Sequence, residues 1–211
     1  MNTISSVLII GCGPVGLTMA LCLAHHQSPS VITEKHPTTT NHPKARGVNC
    51  RSMEIFRMLG LEKELRQYEM SEEEIRFTWI EDLQGKEITR IPSNIDYQHC
   101  SPTKRTIIAQ HHVERELLKK AQQSNLIEIR FNTKMLNAYQ DEQGVTIDVV
   151  DSTQSNDIKQ LSAPYLIGAD GAHSKIRELF KINMQGKDNL NDFCNIYCEM
   201  DLSKYVAHRS S

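Results

Sequence analysis

Short apolar runs alternate with amphipathic stretches along the first part of the chain. Val7–Ile10 is a continuous apolar run, typical of a parallel strand that is buried on both faces. Residues 14–24 carry apolar side chains at helical spacing, and a second strand is predicted over 28–34, after a turn at Ser28-Pro29. A strand, a glycine-containing turn, a helix and a second strand form a βαβ unit, in which the strands are parallel and the crossover is right-handed.

The same two periodicities predict the elements of the rest of the chain. Asn49 is a suitable N-cap, and Gly60 followed by Leu61 is a suitable helix end. Ile127, Ile129 and Phe131 alternate with polar residues and are predicted to share one strand face. The predicted elements are a helix after Asn49, a helix over 62–68, a β-hairpin over 75–91 with its turn near Leu83-Gln84-Gly85, a helix over 113–123, a strand over 127–131, a meander of strands over 135–161 with turns near 141–144 and 155–156, a strand over 165–170 and a helix over 174–180.

Composition and charge narrow the class of protein. The 211 residues are 39% hydrophobic and 24% charged, as in ordinary globular proteins, and the net charge of -2 argues against nucleic acid as a partner. Residues 7–24 are uncharged, but no lysine or arginine precedes them and they contain three glycines and a proline. A nucleotide-binding strand, turn and helix explain this run better than a signal peptide or a membrane span, so no membrane association is predicted.

The cysteines predict no metal site and no disulfide framework. There are six, and the only close pair, Cys194 and Cys198, has a C-x-x-x-C spacing that matches neither a redox nor a zinc pattern. Free thiols predict a reducing, cytoplasmic location.

The glycine turn after the first strand is the main candidate for chemistry. Gly11 permits a sharp turn, Gly13 leaves room for a diphosphate beside the backbone, and Gly16 lets the helix lie close to the sheet. With Pro14 opening the helix, the phosphates would lie at its N-terminus, where unpaired N–H groups favour negative charge.

An acidic residue ends the second predicted strand. Glu34, with Lys35 beside it, stands 18 residues after Gly16. A carboxylate there can accept both ribose hydroxyls of an adenosine and would repel a 2′-phosphate. The glycine turn therefore favours NAD or FAD over NADP, and these residues alone leave the choice between the two open.

Two further segments resemble a known family. HPKARGVNCRSMEIFRMLGL (42–61) and YLIGADGAHSKIRELFKI (165–182) are similar to the FAD-dependent aromatic hydroxylases, the single-component flavoprotein monooxygenases of the p-hydroxybenzoate and phenol hydroxylase type. The last residues, GKDNLNDFCNIYCEMDLSKYVAHRSS, resemble the beginning of that family's substrate domain, so the resemblance covers essentially the whole chain.

The resemblance implies roles for six residues outside the glycine turn. Arg46 of the P-x-A-R-G segment would reach the flavin diphosphate and the pyridine nucleotide, and Gln110 of Q-x-x-V-E-x-x-L would contact the flavin side of the cofactor. The Asp-Gly segment would help to hold FAD and is implicated in binding the pyridine nucleotide; its residues are Asp170, Gly171, Ser174 and Arg177.

The resemblance also implies the fold and the reaction. The expected fold is α/β: a Rossmann-like FAD-binding domain, with a parallel sheet, its βαβ unit and a β-meander, followed by the beginning of a β-rich substrate domain. NADH or NADPH would reduce bound FAD, and the flavin hydroperoxide formed with molecular oxygen would hydroxylate a small phenolic or aromatic substrate.

The family's members are longer, and they carry a later Gly-Asp motif that this sequence lacks. The expected division is an FAD-binding domain over 1–73 and 101–182 and a partial substrate domain over 74–100 and 183–211. An incomplete substrate sheet would expose strand edges and an apolar face, which predicts self-association. Two alternatives stay open: a truncated FAD-binding fragment without monooxygenase activity, and an NAD-dependent dehydrogenase, for which no Tyr-x-x-x-Lys or His-acid pair is visible.

Overall fold

The computed structural model of the chain describes residues 2–3, 7–71, 76–82, 85–92, 99–153, 155–187, 191, 194 and 196–206. The strands are β1 (Asn2–Thr3), β2 (Val7–Ile10), β3 (Ser30–Thr33), β4 (Gly47–Val48), β5 (Arg76–Ile80), β6 (Glu87–Pro92), β7 (Thr106–Ile107), β8 (Ile127–Arg130), β9 (Thr133–Asp141), β10 (Gly144–Asp151), β11 (Ser155–Ala163) and β12 (Tyr165–Gly168). The helices are α1 (Pro14–His25), α2 (Cys50–Met58), α3 (Glu62–Arg66), α4 (Gln110–Gln122), α5 (Lys175–Leu179) and α6 (Ser203–Val206).

A four-stranded parallel sheet with the order β12-β2-β3-β8 lies at the centre of the fold. The two middle strands, β2 and β3, are buried along their whole length. The sequence has continuous apolar or small residues there because both faces of the sheet are covered.

The two faces of the parallel sheet belong to two different cores. Val7 and Ile9 pack with residues of α1, α2 and α4. Leu8 and Ile10 face the opposite way and pack with residues of the antiparallel meander β9-β10-β11. Successive side chains of a strand alternate between its faces, so β2 joins a helical layer and a meander layer through one sheet.

Two small antiparallel pairs lie outside these sheets, and β1 extends the meander sheet by pairing in parallel with β11. β4 pairs with β7, which ties the segment before α2 to the segment before α4. β5 and β6 form a separate two-stranded hairpin, on which Trp79 and Ile88 are exposed.

The structure confirms the predicted α/β class and most of the predicted elements. Asn49 caps α2, as predicted, because its side-chain oxygen accepts a hydrogen bond from Ser52 N at 2.8 Å. The hairpin is confirmed, although Leu83 and Gln84 of its predicted turn lie outside the described residues.

Three differences from the predicted elements have a clear physical cause. Helix α4 begins at Gln110 instead of 113, because its N-cap is Ala109, which carries no side-chain capping group for a sequence pattern to detect. The short pair β4–β7 was not predicted, since two-residue strands leave no periodic pattern. The second meander turn precedes Ser155, where Asp151 accepts a hydrogen bond from Thr153 N at 2.9 Å, so the turn predicted near 155–156 was placed too late.

No helix in the described ranges is both long and apolar enough to cross a membrane.

Candidate dinucleotide site

The predicted glycine turn and two predicted acidic residues meet at one edge of the parallel sheet. The turn follows β2, while Glu34 and Asp170 follow the neighbouring strands β3 and β12. Backbone hydrogen bonds extend this pairing beyond the strands, from Gly11 N to Thr33 O at 2.9 Å and from Ala169 N to Ile10 O at 2.8 Å. The carboxyl edge of a parallel sheet, where the connections diverge, is the usual place for a ligand in this architecture.

Gly11 and Gly16 are required by close backbone packing. Gly11 has φ +105°, and a Cβ atom at this position would overlap the carbonyl oxygen of Ala169. A Cβ atom on Gly16 would overlap the carbonyl oxygen of Gly11. These two glycines therefore let α1 and the turn lie directly against the sheet, in agreement with the sequence analysis.

Gly13 has open space where Gly11 and Gly16 have none. It is the N-cap of α1, and no described atom lies within 4 Å of the position that its Cβ would occupy. Within the described part of the chain no side chain caps α1, and its first turn, which starts at Pro14, has no acidic residue. The helix N-terminus is thus open to a negatively charged group that would take the place of a cap.

The carboxylate of Glu34 is held against the glycine turn. Its Oε2 accepts a hydrogen bond from Cys12 N and its Oε1 accepts one from His36 N, both at 2.9 Å. Each carboxylate oxygen can accept a further hydrogen bond, and the side chain is only partly buried. The neighbouring Lys35 is exposed. A carboxylate acceptor is therefore fixed beside the open helix N-terminus.

The thiol of Cys12 is buried inside the turn, and all six cysteines, each of which is described, are free. Burial raises the pKa of Cys12 to about 12 from an ordinary value of 9.0, and the negative charges of Glu34 and Glu114 act in the same direction. The thiol is therefore protonated at neutral pH and has a packing role.

Iodoacetamide at about pH 8 is expected to alkylate the exposed Cys100, Cys194 and Cys198 and to leave Cys12 unmodified in the folded chain. Each unit of pKa lowers the thiolate fraction tenfold, so the raised pKa lowers the reactive fraction about 1000-fold. Peptide mapping by mass spectrometry measures the modification at each cysteine. Alkylation of Cys12 at the rate of Cys100 would contradict this prediction.

Arg46 and Gln110 are brought together although 64 positions separate them in the sequence. Gln110 N donates to Ala45 O at 2.8 Å, and Ile108 N donates to Arg46 O at 2.7 Å. These bonds continue the β4–β7 pair, whose register joins Gly47 to Ile107. The side chain of Arg46 is exposed and that of Gln110 is partly buried.

The Asp-Gly segment forms the capped start of α5. Ser174 Oγ accepts a hydrogen bond from Arg177 N at 3.1 Å and donates to Asp170 Oδ1 at 2.6 Å, while Ile176 N donates to Asp170 Oδ2 at 3.2 Å. Gly171 has φ +87°, with no described atom within 4 Å of its Cβ position. Both carboxylate oxygens of Asp170 thus hold the helix start, and each keeps capacity for another donor.

Sequence reasoning missed two buried carboxylates on α4. Glu114 and Glu116 are 3% and 6% exposed, although a helical glutamate is ordinarily at the surface. Glu116 accepts a hydrogen bond from Tyr68 OH at 3.0 Å. Glu114 accepts hydrogen bonds from Thr40 N and from the side chain of Gln110. The one available signal was the place of Glu114 within the Q-x-x-V-E-x-x-L segment.

No cluster of three or more histidine, cysteine, aspartate or glutamate side chains suited to a metal ion occurs among the residues that the structure describes. The donors and acceptors at the sheet edge are the backbone N–H groups at the start of α1 and the held carboxylates of Glu34 and Asp170. This set suits an adenine dinucleotide, which offers a diphosphate to the helix and ribose hydroxyls to a carboxylate.

The fold and the site together define a Rossmann-type dinucleotide-binding protein. Over residues 5–211 the chain matches the family described as "FAD binding domain". The chain belongs to this family.

Named relatives are monooxygenases. The 2,4-dichlorophenol 6-monooxygenase of Delftia acidovorans is 33% identical over 98% of this chain, and the tetracenomycin A2 monooxygenase-dioxygenase of Streptomyces glaucescens is 31% identical over 96%. The matches cover 36% and 39% of those two proteins, so this chain spans little more than a third of their length.

A solved structure has the same fold. The flavin-dependent monooxygenase PieE, determined in complex with FAD and substrate, superposes with a TM-score of 0.85 at 30% identity. The match covers 98% of this chain and 37% of PieE.

Proposed function

We propose that this chain binds FAD, with the adenosine diphosphate part of the cofactor in the glycine turn. The observation that carries the proposal is the open, uncapped start of α1 at Gly13 next to the anchored carboxylate of Glu34. The helix N-terminus would hold the diphosphate, and Glu34 would accept hydrogen bonds from the ribose hydroxyls. Gly11 and Gly16 would keep the turn in place, Pro14 would open the helix, and Lys35 would lie at the rim of the adenosine site.

The other candidate residues would hold the remainder of the cofactor. The backbone around Arg46 is held by hydrogen bonds to Ile108 and Gln110, and its side chain is exposed. Arg46 would neutralise diphosphate charge and contact a pyridine nucleotide. Gln110, at the start of α4, would face the flavin side. Asp170, Gly171, Ser174 and Arg177 would place the start of α5 beside the cofactor.

We further propose that the complete protein is a monooxygenase of a phenolic or other aromatic substrate. The names of the relatives support this reaction class. Bound FAD would supply the redox chemistry by taking hydride from NADH or NADPH and reacting with molecular oxygen. The residues of this chain would bind the cofactor, orient it and exclude water from one side of it.

The domain division proposed here follows from the sheets. The parallel sheet shares one core with the helices and the other with the meander, so these elements would form the FAD-binding domain over 1–73 and 101–182. Among the described strands, the β5–β6 hairpin pairs with neither of these sheets, and it exposes Trp79 and Ile88. It would therefore belong, within 74–100, to a substrate domain together with 183–211. The same exposed apolar residues would favour self-association of the isolated chain.

Titration of the purified chain with FAD, followed by quenching of flavin fluorescence, tests the first proposal. After desalting, retained flavin would show absorption bands between roughly 350 and 500 nm. Riboflavin, which lacks adenosine diphosphate, is the matched control and is expected not to bind. No FAD binding by a chain whose circular dichroism shows it folded would overturn the proposal, and tighter binding of NAD than of FAD would favour a dehydrogenase.

A further inference from the structure

Glu114 is a buried carboxylate that faces two separate parts of the proposed FAD site. It is 3% exposed and lies in the first half of α4. Its negative charge contributes to the raised pKa of Cys12 in the glycine turn. A buried carboxylate requires hydrogen-bond donors to offset its loss of hydration, so its partners indicate why it is there.

Both partners of Glu114 are N–H donors. Oε2 accepts a hydrogen bond from the backbone N of Thr40 at 2.9 Å. Oε1 accepts one from Nε2 of Gln110 at 2.7 Å, one helical turn earlier on α4. A carboxylate only accepts hydrogen bonds, so it satisfies both donors at once, which a neutral amide at the same place cannot do.

The bond to Gln110 determines which end of that amide faces the 40–46 segment. With its NH₂ group directed at Glu114, Gln110 presents Oε1 to Ala45 N, at 3.4 Å. The backbone bonds from Gln110 N to Ala45 O and from Ile108 N to Arg46 O hold the same stretch. Glu114 thus fixes the segment directly at Thr40 and, through Gln110, at Ala45, the residue before Arg46.

We propose that Glu114 is a positioning residue: it orients the amide of Gln110 and holds the 40–46 segment, so that Arg46 stands where the cofactor needs it. The consequence for the ligand rests on the proposed FAD function. The hydrogen-bond network itself belongs to the ligand-free chain and can be tested there.

Glu114→Gln tests the network with almost no change in shape. The new amide presents one oxygen and one NH₂, so it can accept from only one of its two former donors. If it accepts from Gln110, its NH₂ opposes the N–H of Thr40; if it accepts from Thr40 N, the Gln110 amide must turn over and set its own NH₂ against the N–H of Ala45. Either arrangement removes one hydrogen bond to the 40–46 segment. Amide hydrogen exchange of the ligand-free chain, followed by NMR or by mass spectrometry of peptides spanning 40–46, is expected to become about tenfold faster there.

Glu116→Gln is the matched control. It makes the same chemical change at a second buried glutamate of the same helix, whose partners are Tyr68, Arg115 and Lys119 instead of the segment. Exchange over 40–46 is expected to stay at the wild-type rate. Equal acceleration in both variants would show a general loosening of α4 and would overturn the proposal, as would an unchanged rate in Glu114→Gln.

A double variant, Gln110→Glu with Glu114→Gln, separates positioning from simple packing. The amide introduced at position 114 can then accept from Thr40 N and donate to the carboxylate introduced at position 110. The other oxygen of that carboxylate can accept from Ala45 N, so every hydrogen bond of the network is restored. Exchange over 40–46 is expected to return to within about twofold of the wild-type rate. Failure of this rescue would assign Glu114 to packing alone.

FAD titration of Glu114→Gln then tests the functional consequence. We expect about tenfold weaker FAD binding than in wild type and in Glu116→Gln. Unchanged FAD affinity despite faster exchange would overturn the positioning role while leaving the FAD proposal intact. A wild-type chain that binds no FAD would instead refute the proposed function. The exchange rates would still test whether Glu114 holds the 40–46 segment.

Discussion

Gly13→Asp is expected to abolish FAD retention while leaving the ligand-free fold slightly more stable. Gly13 is the N-cap of α1, and its Cβ position is open, so aspartate fits there and supplies the missing cap. The same carboxylate would occupy the place proposed for the diphosphate. At an effective dielectric constant of about 20, two negative charges about 4 Å apart repel by about 4 kcal/mol, so FAD affinity should fall at least about 100-fold.

The two measurements on Gly13→Asp are fluorescence titration with FAD and thermal unfolding without it. An increase in stability of a few tenths of a kcal/mol is expected from the cap. Gln143→Asp is the control, because it adds the same charge in the exposed β9–β10 turn, which lies near the start of β12 and not at the carboxyl edge of the sheet. Retention of FAD by Gly13→Asp at wild-type affinity would show that the diphosphate does not lie at α1.

Gly16→Ala is expected to destabilise the ligand-free chain by about 3 kcal/mol, the upper end of the usual range for overpacking. The added Cβ would overlap the carbonyl oxygen of Gly11. The backbone that carries this oxygen cannot easily move away, because Gly11 N donates a hydrogen bond to Thr33 O and the turn packs against Ala169. For a chain of this size, the melting temperature should fall by about 6–12 °C.

Gly47→Ala is the matched control for Gly16→Ala. Its Cβ would meet no described atom within 4 Å, so the change in stability should stay within about 0.5 kcal/mol. Differential scanning calorimetry of the ligand-free variants compares them directly. Equal melting temperatures for both variants would show that α1 does not need to approach the glycine turn as closely as the structure places it.

Much of the fold could be predicted from local patterns. The apolar run of β2, the helical spacing of α1 and the glycines between them are short-range features, and they define the βαβ unit without knowledge of the rest of the chain. The Asn49 cap and the alternation of apolar and polar residues over 127–131 could likewise be predicted, because each depends only on residues close in sequence.

The site was predictable in part for the same reason. Gly11, Gly13, Gly16 and Glu34 follow a spacing that reflects local geometry, and the structure places them at one sheet edge. The roles of Arg46, Gln110 and the Asp-Gly segment came from resemblance, since no local rule links residues so far apart. Their function in cofactor binding stays a prediction for the experiments above.

The sequence by itself therefore determined most of the elements, the α/β class and the glycine turn, because periodicity and turn chemistry act over a few residues. Only the tertiary structure decided that the two faces of β2 pack into two different cores. It also decided that Glu34 accepts a hydrogen bond from Cys12 N, and that Glu114 is buried and accepts hydrogen bonds from Thr40 and Gln110. Apart from the place of Glu114 in the Q-x-x-V-E-x-x-L segment, nothing in the local sequence indicates that this helical glutamate is buried. Its donor at Thr40 lies 74 positions away and meets it only when α4 packs beside the sheet.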